Sequence, residues 1–195
     1  MLVRAVAAAV LSAVLMFFWG FVYWALLGGG AKTQSPLPVE KQLDLLAVLR
    51  TSGMETGMYI YPFPAEMTDE AATAEFNRQH EEGPVFQLAY RKEGGPAMDG
   101  GAMALGFANM ALMALLTAGL TAMVAGSLPT FGRRFAFAML IPVIASLWSN
   151  LGDVIWWLHP LRYAAGNILY QVVAGALMAV VVAVLVKPQS DASTA

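Results

Sequence analysis

The chain has 195 residues, of which 58% are hydrophobic and only 12% are charged. Soluble chains average about 45–50% apolar and about 25% charged residues, so this composition excludes an ordinary soluble domain and predicts a membrane protein. The formal net charge of −2 is too small to indicate a nucleic-acid partner. Because the chain has no cysteine, disulfides, thiol redox chemistry and cysteine-ligated metals are excluded.

Four stretches are almost free of charge, and each is long enough to cross a bilayer. A hydrocarbon core about 30 Å thick needs about 20 apolar residues in a helix. The first stretch is interpreted as an uncleaved anchor, because it is longer than a signal-peptide core and ends in bulky aromatics; a cleaved signal peptide is the alternative. The predicted transmembrane helices span residues 1–27, 101–126, 135–158 and 163–186, the last three within a segment 100–195 that ends in a short cytoplasmic tail.

Lysines and arginines in short connections predict the orientation of these helices. Arg4 precedes the first helix and Lys187 follows the fourth. Arg133 and Arg134 lie between the second and the third. Because basic residues of short loops stay in the cytoplasm, both termini are predicted to be cytoplasmic and residues 28–99 extracytoplasmic.

The segment 28–99 is predicted to be a small α+β module between the first two membrane helices. It contains eleven acids and six bases. Two helices and two strands in about 70 residues make a thin core, so we expect the module to lean on the membrane helices or on a partner. The predicted elements are a helix over 39–51 followed by Gly53, a strand over 58–61, a helix capped by Thr68 and ending at Glu82, and a strand over 86–90.

The first predicted strand continues into an aromatic and proline-rich segment. Tyr59, Tyr61 and Phe63 alternate there, and Pro62 and Pro64 end the strand. Large aromatic side chains are enriched at protein interfaces. These three aromatics are therefore the candidate partner surface.

Polar side chains of the last two predicted membrane helices fall at matching depths. Asp153 lies seven residues before Pro160 and Asn167 seven residues after it, so an antiparallel hairpin brings them level. By the same count, Asn150 lies near the level of Gln171. We expect one polar cluster in the outer leaflet, with His159 and Arg162 at its mouth. Its predicted members are Ser146, Asn150, Asp153, His159, Arg162, Asn167 and Gln171.

The role of Asp153 has two interpretations. An acid in a membrane helix is a functional candidate by default, which favours a ligand or partner site. Its position near the outer end of the helix instead favours a structural role, or an interfacial ion pair with Arg162. His159 is interpreted as an interfacial residue rather than a metal ligand, because the only other histidine, His80, lies in the outer module. No metal or cofactor is predicted.

No catalytic residue is predicted either. The sequence lacks the H-E-x-x-H, G-x-S-x-G and P-loop motifs. Leu151-Gly152-Asp153 shares its glycine and acid with intramembrane aspartyl proteases, but no second intramembrane acid is present to share a proton.

Two stretches of the outer module resemble known sequences. GMYIYPFP at 57–64 and GPVFQLAYR at 83–91, followed by GPAM at 95–98, are similar to segments of a family of bacterial multi-pass membrane proteins with four helices. The resemblance covers the outer module and the start of the second membrane helix. It implies a location in the bacterial inner membrane and carries no activity or site.

These observations favour one function over two others. The leading hypothesis is a non-enzymatic accessory, assembly or sensing subunit that contacts a partner protein, or a second copy of itself, through the outer module. The alternative is a small oligomeric transporter or channel that uses the polar cluster around Asp153. A third hypothesis, an enzyme acting on lipid or envelope substrates, needs Asp153, His159 and Arg162 to converge.

Overall fold

The computed structural model describes residues 2–64, 66 and 68–188. The chain forms two compact units. The helical unit comprises Met1–Ser35 and Met98–Ala195, and the inserted unit comprises Pro36–Ala97. The helical unit therefore extends past the first membrane helix and includes residues 28–35, which the sequence assigned to the outer module.

Seven α-helices and two strands follow one another in the described part of the chain. A π-helix, Val22–Leu26, continues the first α-helix, and a 3₁₀ turn, Ala125–Ser127, follows the fifth. The elements in order are α1 (Leu2–Phe21), α2 (Gly29–Thr33), α3 (Val39–Thr51), β1 (Gly57–Tyr61), α4 (Glu70–Glu82), β2 (Phe86–Tyr90), α5 (Gly100–Met123), α6 (Phe131–Trp156) and α7 (Leu161–Leu185).

Four helices of the helical unit are long and apolar enough to cross a membrane. They are Leu2–Leu26, which joins α1 to the π-helix, and the three later helices α5, α6 and α7. This agrees with the predicted all-α membrane-type fold. Each is longer than the roughly 20 residues that are needed to cross the bilayer core.

The third long helix begins earlier than the sequence predicted. The Thr130 hydroxyl accepts a hydrogen bond from the backbone N–H of Arg133 and caps α6, which starts at Phe131 rather than at residue 135. Arg133 and Arg134 consequently lie in the first turn of a helix and not in a loop. The second long helix ends at Met123, before the predicted residue 126, because a 3₁₀ turn follows it.

The packing order of the four long helices differs from their order in the chain. α1 packs against both α5 and α7, and α6 packs against α7, whereas α5 and α6 contact each other little although they are consecutive. The shared core consists largely of small side chains, which allow helix backbones to approach closely in a membrane. Its buried members are Ala8, Ala9, Ala114, Ala118, Ala138, Met178, Ala179, Val182 and Val186.

One glycine allows α6 and α7 to pack tightly against each other. A Cβ on Gly175 would overlap the ring of Pro142. Pro142 lies inside α6, and its ring fills the space that a larger side chain at residue 175 would need. The proline therefore serves the packing of the hairpin.

The inserted unit contains a two-stranded antiparallel sheet and two helices. β1 and β2 pair from Gly57 opposite Tyr90 to Tyr61 opposite Phe86. Neither α3 nor α4 buries a residue in the described structure. α4 is capped by Asp69 rather than by the predicted Thr68, because the Asp69 carboxylate accepts from the backbone N–H of Ala71 at 3.1 Å.

Candidate functional site

The hairpin of α6 and α7 contains a buried polar contact. The Asn150 side-chain amide donates to the side-chain Oε1 of Gln171 at 3.1 Å and to the backbone carbonyl of Ser146 at 2.8 Å. Ser146 and Asn150 are buried in this helix contact. The antiparallel register places Asn150 level with Gln171, and their hydrogen bond joins the two helices.

A second polar contact lies where α6 ends. The Asp153 carboxylate lies 3.8 Å from Nδ1 of His159, and both side chains are partly exposed. The backbone N–H groups of Trp157 and His159 both donate to the carbonyl of Asp153 at 3.1 Å. Leu158 adopts a φ of 57°, the left-handed conformation that commonly ends a helix in this pattern. The tight turn thus brings His159 back to Asp153.

Two other predicted members of the cluster lie elsewhere. Arg162 contacts the backbone carbonyl of Ala31 at 3.5 Å, and among the described residues it forms no ion pair with Asp153. Asn167 is partly buried in α7, and the described side chains do not join it to Asp153 by a hydrogen bond. Five of the seven residues therefore form two separate contacts, Ser146, Asn150 and Gln171 within the hairpin and Asp153 and His159 at its turn, and the described contacts join Arg162 and Asn167 to neither.

An aromatic cluster joins α1 to α7, and sequence reasoning did not foresee this contact. The Trp19 indole N–H donates to the backbone carbonyl of Tyr170 at 3.1 Å. The Tyr23 hydroxyl donates to the carbonyl of Gly166 at 2.9 Å, and its ring lies 4.9 Å from that of Trp24 and 5.4 Å from that of Tyr170. Tyr23 lies in the π-helix, an irregularity frequent at functional sites.

The short helix α2 packs beside this cluster. A Cβ on Gly166 would overlap the Thr33 methyl group, and a Cβ on Gly29 would lie 2.6 Å from the Tyr23 ring. The Thr33 hydroxyl donates to the Gly29 carbonyl at 2.8 Å. Gly166 lets α2 lie directly against α7, and Gly29 lets α2 lie against Tyr23 of the π-helix, which explains why residues 28–35 belong to the helical unit.

Arg134 is a buried cation that the sequence indicated only as a marker of orientation. Its guanidinium donates to the backbone carbonyls of Ala183 at 2.9 Å, Leu128 at 3.0 Å and Pro129 at 2.9 Å. Only 5% of the residue is exposed. Arg134 thereby ties the connection between α5 and α6 to the carboxyl end of α7.

The three candidate partner residues of the inserted unit differ in their contacts. The Tyr59 hydroxyl donates to the backbone carbonyl of Glu55 at 2.8 Å. The ring of Tyr61 stacks on Phe86 across the two strands, with centroids 5.5 Å apart. Phe63 is 67% exposed. Tyr61, Phe63 and Phe86 therefore present aromatic surface to the surroundings of the unit.

A charge network covers one side of α4. Arg78 forms ion pairs with Glu75 at 2.6 Å and with Glu82 at 2.7 Å. Hydrogen bonds from Arg78 and then from Gln79 lower the pKa of Glu75 to about 2, and hydrogen bonds to Glu75 and Glu82 raise the pKa of Arg78 above its usual range. The network joins residues one turn apart and so supports the helix.

The described residues include no group of three or more histidines, cysteines or acids placed to hold a metal ion. Comparison of the chain with protein-family models, with curated proteins and with solved structures gives no match. The resemblance of 57–64, 83–91 and 95–98 to bacterial multi-pass membrane proteins stays a prediction.

Proposed function

We propose that this protein is a non-enzymatic membrane subunit, with an accessory, assembly or sensing role, that contacts another protein through its inserted unit. The membrane is proposed to be the bacterial inner membrane, with both termini in the cytoplasm and the inserted unit outside. The basic residues Arg4, Arg133 and Lys187 support this orientation, because they lie at the helix ends opposite to those that lead into the inserted unit.

The observation that carries the proposal is the exposed apolar surface of the inserted unit. Three exposed aromatic residues lie near one another along the chain or across the strands: Tyr61 is paired with Phe86, and Phe63 follows Tyr61 by two residues. On the other face of the sheet, Met58 and Ile60 are also exposed. Exposed apolar patches on a small domain mark interaction sites, and aromatic residues contribute most of the binding energy at such sites.

The charge of the inserted unit favours a protein over the membrane surface as its partner. Residues 36–97 contain ten acids and five bases. Membranes with anionic lipids attract basic segments and repel acidic ones. An acidic unit with an aromatic patch is better suited to a protein surface, where the aromatics bind and the charges lie at the rim.

Photo-crosslinking in intact cells tests the proposal. A photoreactive amino acid replaces Phe63 in one variant and Glu81, an exposed residue of α4, in a control variant. We expect a covalent adduct with another protein, or with a second copy, from residue 63 and none from residue 81. Adducts with lipid alone, or equal protein adducts from both positions, would contradict a specific protein contact.

The alternative of a small oligomeric transporter or channel has one observation in its favour. Ser146 is fully enclosed, and its hydroxyl has no hydrogen-bond partner among the described residues, although it lies in the helix contact of Asn150 and Gln171. Buried polar groups in membrane helices can line a pathway. In proteoliposomes this alternative requires that Asp153→Asn abolishes a flux that the unsubstituted protein supports.

The enzyme hypothesis has no such support. It needs Asp153, His159 and Arg162 together, whereas Arg162 contacts the carbonyl of Ala31.

A further inference from the structure

Positive charge gathers at one end of the helical unit. Arg4 lies in the first turn of α1, Arg133 and Arg134 lie in the first turn of α6, and Lys187 follows the end of α7. The acids of this unit within its described residues are Asp99, at the start of α5, and Asp153, near the end of α6, both at the opposite helix ends. The sequence beyond residue 188 adds one acid, Asp191. The four basic residues at these helix ends therefore outnumber the one acid that the remaining sequence adds.

Two of these cations line one cleft. Arg4 and Ala5 of α1, Ala122 of α5, and Val186 and Lys187 after α7 surround it. The two basic residues come from opposite ends of the chain, and the three apolar residues form the rest of the lining. The lining of this cleft therefore combines two basic residues with three apolar ones.

Arg134 fixes the helix end that carries Lys187. Its hydrogen bond to the carbonyl of Ala183 lies in the last turn of α7, and its other bonds hold the connection at Leu128 and Pro129. Because those partners are uncharged carbonyls, the charge of Arg134 is not neutralised by them. It adds to the positive potential of the same helix ends.

From this arrangement we propose that the cleft between Arg4 and Lys187 binds a phosphate group, and that its source is an anionic phospholipid. Exposed apolar residues beside the basic ones favour the lipid over free phosphate. Leu2, Val3 and Met123 are exposed by 76%, 81% and 82% and offer contacts to acyl chains. Basic pockets between membrane helices on the cytoplasmic side bind anionic head groups. This site does not depend on the proposed protein partner.

Thermal unfolding of the purified full chain in a mild detergent tests the site. Phosphatidylglycerol, phosphatidylcholine and inorganic phosphate are added in separate titrations. At tenfold excess over half-saturation, we expect phosphatidylglycerol to raise Tm by about 3–6 °C, because a ligand that binds only the folded state stabilises it. Phosphatidylcholine is expected to leave Tm unchanged, since its head group has no net charge.

Two double variants show where the lipid acts. Arg4→Gln with Lys187→Gln removes both donors of the cleft and is expected to abolish most of the shift. Lys32→Gln with Arg162→Gln removes the same charge from exposed residues at the other helix ends and is expected to retain it. Each shift is measured from that variant's own Tm without lipid, so a small change in basal stability does not affect the result.

The remaining outcomes separate the sources of the phosphate group. An equal shift with inorganic phosphate, lost in the Arg4 and Lys187 variant alone, supports the phosphate site but assigns it to a soluble anion. Equal shifts with phosphatidylglycerol and phosphatidylcholine would overturn the proposal. The same would follow if both double variants lost the shift to the same extent.

Discussion

Arg134 carries its positive charge into the interior of the helical unit, where the described residues offer it no acidic partner. A buried charge is tolerated only when its hydrogen-bonding groups are satisfied. Three backbone carbonyls accept hydrogen bonds from its Nε and Nη1, and one of them belongs to the end of α7, where carbonyls lack partners within the helix. The partial negative charge at the carboxyl end of a helix also favours a cation there.

Replacement of this side chain tests its contribution to stability. Arg134→Leu is expected to lower the free energy of unfolding by about 2–4 kcal/mol, because it removes three hydrogen bonds of a charged donor and leaves the Ala183 carbonyl without that donor at a buried position. The neighbouring Arg133→Leu variant removes the same charge from an exposed position and is expected to change stability by about 0.5 kcal/mol or less. Chemical denaturation of both variants in detergent measures the difference. Equal losses of unfolding free energy in the two variants would mean that positive charge alone, and not the hydrogen bonds of Arg134, stabilises this end of the helical unit.

Among the elements, α4 shows how local charge supports a helix that buries no residue of its own. The Asp69 cap satisfies an N–H at its start, and Arg78 joins Glu75 to Glu82 along one side. Gly83 follows its end with a φ of 62°, a conformation that glycine adopts without a steric penalty. These contacts are exposed to solvent, so salt will weaken them.

The stability of α4 is therefore expected to depend on pH in acid. The pKa of Glu75 is about 2 in the folded protein and 4.5 for an unperturbed group. Because the folded pKa is lowered, the contribution of Glu75 is present above about pH 4.5 and is lost as the pH falls towards 2. Hydrogen exchange over residues 70–82, corrected for intrinsic rates, should show falling protection through this window. Glu75→Gln should reduce that dependence, and an unchanged pH profile in the variant would contradict the assignment.

Element positions were largely predictable from the sequence, whereas contacts between distant helices were not. The absence of charge marked the membrane helices, and residue counts about Pro160 indicated that Asn150 lies level with Gln171, as their hydrogen bond requires. The contact of Arg162 with the Ala31 carbonyl had no such signal, because backbone acceptors are the same at every residue. The hydrogen bonds of Arg134 could not be predicted for the same reason, because their acceptors are also backbone carbonyls.

At the scale of the whole molecule, both proposals depend on one orientation. The inserted unit can meet an extracytoplasmic partner only if residues 36–97 lie outside. The cleft of Arg4 and Lys187 can contact anionic lipid of the cytoplasmic leaflet only if the helix ends that carry these two residues lie on the cytoplasmic side. The positive-inside distribution of Arg4, Arg133 and Lys187 supports this orientation.

Labelling of single cysteines in cells tests the orientation most directly, and the chain has no cysteine of its own to interfere. Asn77→Cys places a thiol on the exposed surface of α4, and Ser127→Cys places one in the exposed connection between α5 and α6. With a maleimide that does not cross the inner membrane, we predict labelling of residue 77 in intact cells and of residue 127 only after permeabilisation. Labelling of residue 127 from outside, with protection of residue 77, would contradict the account.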